Sequence, residues 1–249
     1  MEQNTLAVFK IGGNSIDNPQ ALESFLERFT ACQSPKMLVH GGGVLAGALA
    51  QRLGIPVQMH QGRRITDAET LQIVTMVYAG WINKTLVAKL NALGCRSMGL
   101  CGADGALLTS TRRNPVPIDF GYVGDLTPDG VNVSLLCQLL RQGLTPVCSS
   151  ITCTDRGQLL NTNADTVAGA VSLAMRHYFQ TRLIFVFDKP GVIYPGATRE
   201  MPLLSRKQYE QMKEQGYITG GMIPKLDNAF AALEQGIEQV YVGNTRIQQ

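Results

Sequence analysis

Twice within its first 53 residues the chain repeats one unit: a short apolar run, a glycine cluster, then apolar residues at helical spacing. Residues 6–11 end on Gly12-Gly13, and residues 37–40 end on Gly41-Gly42-Gly43. Between them Asn18 suits a helix cap and Pro19 a first turn, and Leu22, Phe25, Leu26 and Phe29 recur every three or four residues. Residues 44–53 read as a second helix. Strand, glycines, helix, strand is the rhythm of parallel βαβ units, so the chain is expected to be an α/β protein.

The rest of the sequence extends that pattern. A long helix is expected over 67–93, with Thr66 as N-cap and Glu69 completing a capping box. Strands are expected at 96–100, 145–148, 183–187 and 239–242, the third buried on both faces. Helices are expected at 135–140, 164–175, 205–215 and 225–235. Residues 103–128 carry Gly105, Pro115, Pro117, Gly121, Gly124 and Pro128 among short extended pieces, and read as one or two β-hairpins standing off the sheet. The best division is near 176–183, giving lobes 1–178 and 179–249.

Composition removes several function classes. At 249 residues and 45 % hydrophobic, the chain can bury a core without metal or disulfide staples. A net charge of +3 with no five-residue run of Lys and Arg argues against a dedicated nucleic-acid binder. The six cysteines form no CxxC pair and no zinc spacing, and read as reduced thiols in a cytosolic core. No basic, apolar leader opens the chain and no stretch nears ~18 uncharged apolar residues, so a cytoplasmic protein with no membrane span is expected.

Glycines behind parallel strands expose backbone N–H groups, and the next helix adds the positive end of its dipole; together they hold phosphates or carboxylates. A tight turn alone would also explain a glycine pair. No Walker A run and no GxGxxG fingerprint is present. His40-Gly41-Gly42-Gly43 resembles a lipase oxyanion loop, but no GxSxG elbow accompanies it, so His40 is read as a strand-end packing or turn residue. Lys10 interrupts an apolar strand, which is costly unless its ammonium reaches an anion. Asn161, Asn163 and Asp165 stand at a helix start, Asp188 directly follows the apolar strand, and Gly220-Gly221 precede a helix with Lys225 in its first turn. Arg64 can grip a carboxylate bidentately. Two lysines, an aspartate and several glycine loops with no evident base suit phosphoryl transfer to a carboxylate, which is already ionised at neutral pH.

The runs Phe9-Lys10-Ile11-Gly12-Gly13, Val39-His40-Gly41-Gly42-Gly43, Gly62-Arg63-Arg64-Ile65-Thr66-Asp67, Asn83-Lys84-Thr85-Leu86, Asn161-Thr162-Asn163-Ala164-Asp165, Phe187-Asp188-Lys189-Pro190-Gly191-Val192 and Gly220-Gly221-Met222-Ile223-Pro224-Lys225 together resemble the amino acid kinase family, in its order and over residues 9–225. The resemblance implies a three-layer sandwich with an open, mainly parallel central sheet, an N-terminal lobe for an acyl amino acid and a C-terminal lobe for nucleotide. It implies that Lys10 and Lys225 stabilise the transferring phosphoryl group from opposite sides and that Asp165 organises both. Gly12 and Gly13 would hold ATP phosphates, with Asp188 and Gly221 also on the nucleotide side. Gly42 and Gly43 would face the substrate carboxylate, and Arg64, Asn161 and Asn163 the rest of the substrate. The implied reaction is ATP-dependent phosphorylation of the side-chain carboxylate of an N-acylated L-glutamate, N-acetyl-L-glutamate first, in arginine synthesis. Mg²⁺ is carried by the nucleotide, and no protein metal site is expected.

Two departures shape the expectation. The first strand begins by residue 6, without the N-terminal helix of arginine-inhibited hexamers, so a homodimer with weak or no arginine feedback is expected. The basic stretch Arg112-Arg113 lies where the acyl group should be read, and would suit an acidic acyl group such as N-succinyl. Other carboxylate, carbamate or uridylate kinases of the same family, and a non-catalytic nucleotide- or oxyanion-binding module, are the rival readings.

Overall fold

The computed structural model describes residues 5–186 and 191–249. Along the chain, β1 (Thr5–Ile11) leads through α1 (Gly13–Asp17) and α2 (Pro19–Ala31) to β2 (Lys36–His40) and α3 (Gly43–Arg52). The hairpin β3 (Met59–His60) and β4 (Arg63–Arg64) precedes a long helical stretch: α4 (Ala68–Thr75), a π-helical segment (Met76–Ile82) and α5 (Asn83–Ala92). Then come β5 (Ser97–Leu100), the hairpin β6 (Thr111–Arg112) and β7 (Gly124–Asp125), α6 (Val133–Arg141), β8 (Thr145–Ser149) and the hairpin β9 (Ile151–Cys153) and β10 (Leu159–Asn161). The last part is α7 (Ala164–Met175), β11 (Gln180–Phe185), β12 (Leu203–Ser205), α8 (Arg206–Glu214), α9 (Met222–Glu234), β13 (Gln239–Val242) and β14 (Thr245–Gln248).

Eight strands form one sheet in the order β12-β14-β13-β11-β1-β2-β8-β5, parallel throughout except for β13 against β14. Alternation along the strands splits the core in two. Leu6, Val8, Met37, Val39, Leu183, Phe185, Val240 and Val242 bury one face beneath α6, α7, α8 and α9. Ile11, Leu38 and Val147 bury the other beneath α2, α3, α4 and α5, with Phe9 edge-on to Phe29 at 5.0 Å. Two apolar faces under two helical layers are what a parallel sheet requires, and the three-layer expectation holds. The sheet runs unbroken past residues 178 and 179 through the β1–β11 pairing.

Two local expectations need correction. The helix N-cap is Asp67, whose carboxylate accepts from the Thr70 N–H at 2.8 Å, not Thr66. Thr66 is buried; its backbone bonds Phe120 and Tyr122, and its hydroxyl takes a bond from Asn161. Strand β11 is not buried on both faces: Thr181, Leu183 and Phe185 are, while Arg182 and Ile184 are half-buried, because the helices over the other face lie chiefly on the β1–β2–β8 side. Strands β12 and β14, and the β9–β10 hairpin, carry too short a pattern to be read in advance.

Candidate active site

The register of β1 on β2 pairs Ile11 with His40, so Gly12 and Gly41 leave the sheet side by side. Glycine pairs far apart in sequence thereby open onto one cleft at the carboxyl edge of the parallel strands. The cleft holds about 930 Å³ and is lined by Lys10, Gly12, Gly13, Gly42, Gly43, Arg64, Asn161, Asn163 and Asp165 among others.

Strand alternation explains Lys10. Leu6, Val8 and Lys10 share the face covered by α7, and the first turn of α7 carries Asp165. The Lys10 Nζ lies 2.8 Å from the Asp165 Oδ1, an ion pair with side chains 17 % and 21 % exposed. The other carboxylate oxygen, Oδ2, accepts from the Asn228 Nδ2 at 2.9 Å. Asp165 thus ties the middle strand to α9. Its charge in the first turn of α7 also complements the helix dipole.

The second glycine loop is built against the π-helical segment. A Cβ on Gly42 would fall 2.2 Å from Ile82 Cδ1 and 2.9 Å from Tyr78 Cδ1, so any side chain there would force both to move. Gly42 is the N-cap of α3, and Gly43 opens the helix, so its first N–H groups face the cleft. The Arg64 Nη2 donates to the Gly43 carbonyl at 2.9 Å. Tyr78 lies beside it: burial pushes its phenol above the usual range, and the Arg64 charge pulls it the other way.

Asn163 caps α7, accepting from the N–H groups of Asp165 at 2.8 Å and Thr166 at 3.1 Å, and lines the cleft as it does so. The Asn161 Nδ2 donates to Thr66 Oγ1 at 3.0 Å. Arg113 lines the cleft with its guanidinium paired to Asp125, at 2.5 Å. Arg112 does not; it holds both Asp119 oxygens at 3.1 Å and the Gly121 carbonyl at 2.9 Å.

Not every expected site residue gathers here. Lys225 sits in the first turn of α9, three residues before Asn228 and so on the same side of the helix, but it does not line the cleft. Gly221, the N-cap of α9, is exposed and does not line it either. Asp188 lies outside the described residues. Sequence reading missed Asn228 and Tyr78; the three-residue step from Lys225 was the available signal for the first, and none was available for the second.

Four of the described side chains lining the cleft are cationic (Lys10, Arg63, Arg64, Arg113) and one is anionic (Asp165). With two sets of backbone N–H groups, such a cleft suits two anions held close together. Among the described residues no group of three or more His, Cys, Asp or Glu side chains could hold a metal ion, and no helix is long and apolar enough to cross a membrane.

This fold is that of the amino acid kinases. The chain belongs to the amino acid kinase family, whose model matches residues 5–244. It is 45 % identical over 239 residues to an acetylglutamate kinase of Parabacteroides distasonis (95 % of this chain, 93 % of that one). It is 38 % identical over 246 residues to an acetylglutamate kinase of Methanopyrus kandleri (96 % and 95 %). Among solved structures it superposes on smu.665 from Streptococcus mutans UA159 with a TM-score of 0.78 at 26 % identity, covering 98 % of both chains. It matches aspartokinase III of E. coli in fold, with a TM-score of 0.67 at 14 % identity over 96 % of this chain and 62 % of that one.

Proposed function

We propose that the protein is an acetylglutamate kinase, transferring the γ-phosphoryl group of ATP to the side-chain carboxylate of N-acetyl-L-glutamate in arginine synthesis. The observation that carries this reading is the Lys10–Asp165 pair set on the cleft floor between the two glycine loops. The whole-length kinship to enzymes of that name supports it.

A glutamyl side chain titrates near ~4.3, so the acceptor is already an anion and needs no general base. What remains is to align two anions and neutralise charge on the moving group. In this reading the Gly12–Gly13 loop cradles ATP phosphates, and the Gly42 and Gly43 N–H groups hold the acceptor carboxylate. Arg64 and Asn161 bind the amino-acid end, and Asn163 serves both as helix cap and as ligand. Lys10 meets the phosphoryl group from the strand, and Lys225 meets it from the nucleotide side, with Asp165 and Asn228 setting the position of α9. Gly221 and Asp188 belong to the nucleotide half, residues 179–249, and residues 1–178 hold the acyl amino acid. Mg²⁺ enters on the nucleotide, as part of the co-substrate.

Arg113 lines the cleft, which keeps N-succinyl-L-glutamate as the second reading. Asp125 already answers its charge, which favours the neutral acetyl group. We further propose a cytoplasmic homodimer, joined through the face that exposes Trp81 (70 %) and Met76 (55 %).

An acyl-hydroxamate assay with Mg·ATP across N-acetyl-, N-succinyl- and unmodified glutamate, aspartate and uridylate-dependent ADP release tests the reading. Hydroxamate from N-acetylglutamate at the highest kcat/KM is expected. Preference for the succinyl substrate moves the assignment to the second reading. ATP binding without turnover of any acceptor would reduce the protein to a binding module.

A further inference from the structure

His40 is fully buried at the end of β2, immediately before the glycine loop, and none of the chemistry above uses it. Its ring is held at both nitrogens. The Nδ1 lies 2.9 Å from the Gly41 carbonyl oxygen, and the Nε2 lies 3.0 Å from the Asn83 Nδ2. A carbonyl only accepts, so Nδ1 carries the hydrogen. The amide orientation at Asn83 is fixed independently: its Nδ2 also donates to the Val147 carbonyl at 2.9 Å, while its Oδ1 accepts from the Lys84 ammonium at 3.2 Å. Turning the amide over would set nitrogen against ammonium and oxygen against carbonyl. Asn83 therefore donates to Nε2, and His40 is the neutral Nδ1–H tautomer.

The surroundings enforce this. Burial, opposed in part by the Gly41 bond and assisted by the Lys84 charge, pulls the imidazole down to about 4. Lys84 is anchored in turn by the Gly99 carbonyl at 3.1 Å, and a Cβ on Gly99 would lie 2.0 Å from Asn83 Oδ1. Five residues before Asn83, Tyr78 touches the loop at Gly42, and the i→i+5 bonding of the π-helical segment stacks residues at that spacing on one side. The π-helical segment sets Tyr78 and Ile82 against Gly42, and Asn83, the residue after it, against the His40 ring at the end of β2; such segments are frequent at functional sites.

We propose that His40 and Asn83 are positioning residues: by fixing the Gly41 carbonyl from behind, they aim the Gly42 and Gly43 N–H groups at the charge that develops during phosphoryl transfer. This rests on the kinase reading given above. The helix end supplies the donors; the relay holds their peptide planes still, so that no reorganisation is needed when charge moves.

Two measurements test it. In the unmutated protein, ¹⁵N–¹H spectra of the three histidines report the tautomer without any assay of turnover. An unchanged Nδ1–H pattern for His40 between about pH 5 and pH 8 is expected; an Nε2–H pattern, or titration near the ordinary value, overturns the proposal. In kinetics, His40→Leu should lower kcat roughly 10- to 100-fold with the KM for ATP unchanged, because the loss falls on transition-state donors. His40→Asn, whose amide can still donate to Gly41, should recover most of it. Equal kcat per folded active site in all three proteins overturns the proposal. A wild-type protein that shows the expected tautomer but phosphorylates no acceptor would instead sink the kinase reading and leave the relay standing as a loop anchor.

Discussion

Lys10 and Asp165 meet at 2.8 Å on the floor of the cleft, one from the middle strand of the sheet and one from the first turn of the helix that covers it. The pair holds an ammonium group where two anions converge. Replacing Lys10 with Ala should lower kcat by at least ~100-fold, the scale of a single transition-state contact. Steady-state kinetics decide: a rise in KM with kcat intact would show that the lysine contributes only uniform binding.

Lys225→Ala should do the same despite its place outside the cleft, since the reading brings it to the phosphoryl group with nucleotide bound. A variant with unchanged kcat would remove Lys225 from the mechanism and leave Lys10 as the described cation at the transition state.

Asn228 holds the second oxygen of Asp165. Asn228→Leu leaves that oxygen without its donor, and should lower kcat by about 10-fold while Asn228→Gln loses less. Equal losses in both would mean that α9 packing, not the hydrogen bond, sets the effect.

Gly42→Ala would place a methyl group 2.2 Å from Ile82 Cδ1. Overpacking of this kind costs roughly 1–3 kcal/mol, so the melting temperature should fall by several degrees and activity with it. Combining it with Ile82→Ala should recover activity in part; no recovery would show that the glycine is needed for its backbone path instead of the space.

The buried, neutral His40 makes stability depend on pH. Above about pH 6.5 neither the folded nor the unfolded chain protonates this residue. As pH falls from there toward about 4, the unfolded chain takes up a proton that the folded one refuses. Stability should therefore drop with acidification across that window, by roughly 3 kcal/mol at most. Urea unfolding at a series of pH values should show a steeper slope across that window in the wild type than in His40→Asn.

Much of the frame was legible in advance. The apolar runs of β1 and β2, the glycines behind them and the helical spacing of α2 state their structure locally, through alternation, chain flexibility and capping. Lys10 stood out because a charge in an apolar strand asks for a partner, while Asp165 read from the residues alone as part of a helix start and gained its lysine partner only through the family resemblance. Asn228 and Tyr78 did not stand out, since an amide on an amphipathic helix and an aromatic in a buried one look the same whether or not they face a ligand.

The sequence by itself determined the longer elements, the class of sheet and the kind of chemistry, because these follow from which residues neighbour one another along the chain. Only the tertiary structure decided that Ile11 would sit opposite His40, that Asp165 would close on Lys10 and Asn228, and that a π-helical segment would set Tyr78 beside Gly42 and Asn83 against His40. Strand register and helix packing are settled by the burial of whole faces at once, and no short stretch of chain encodes that sum.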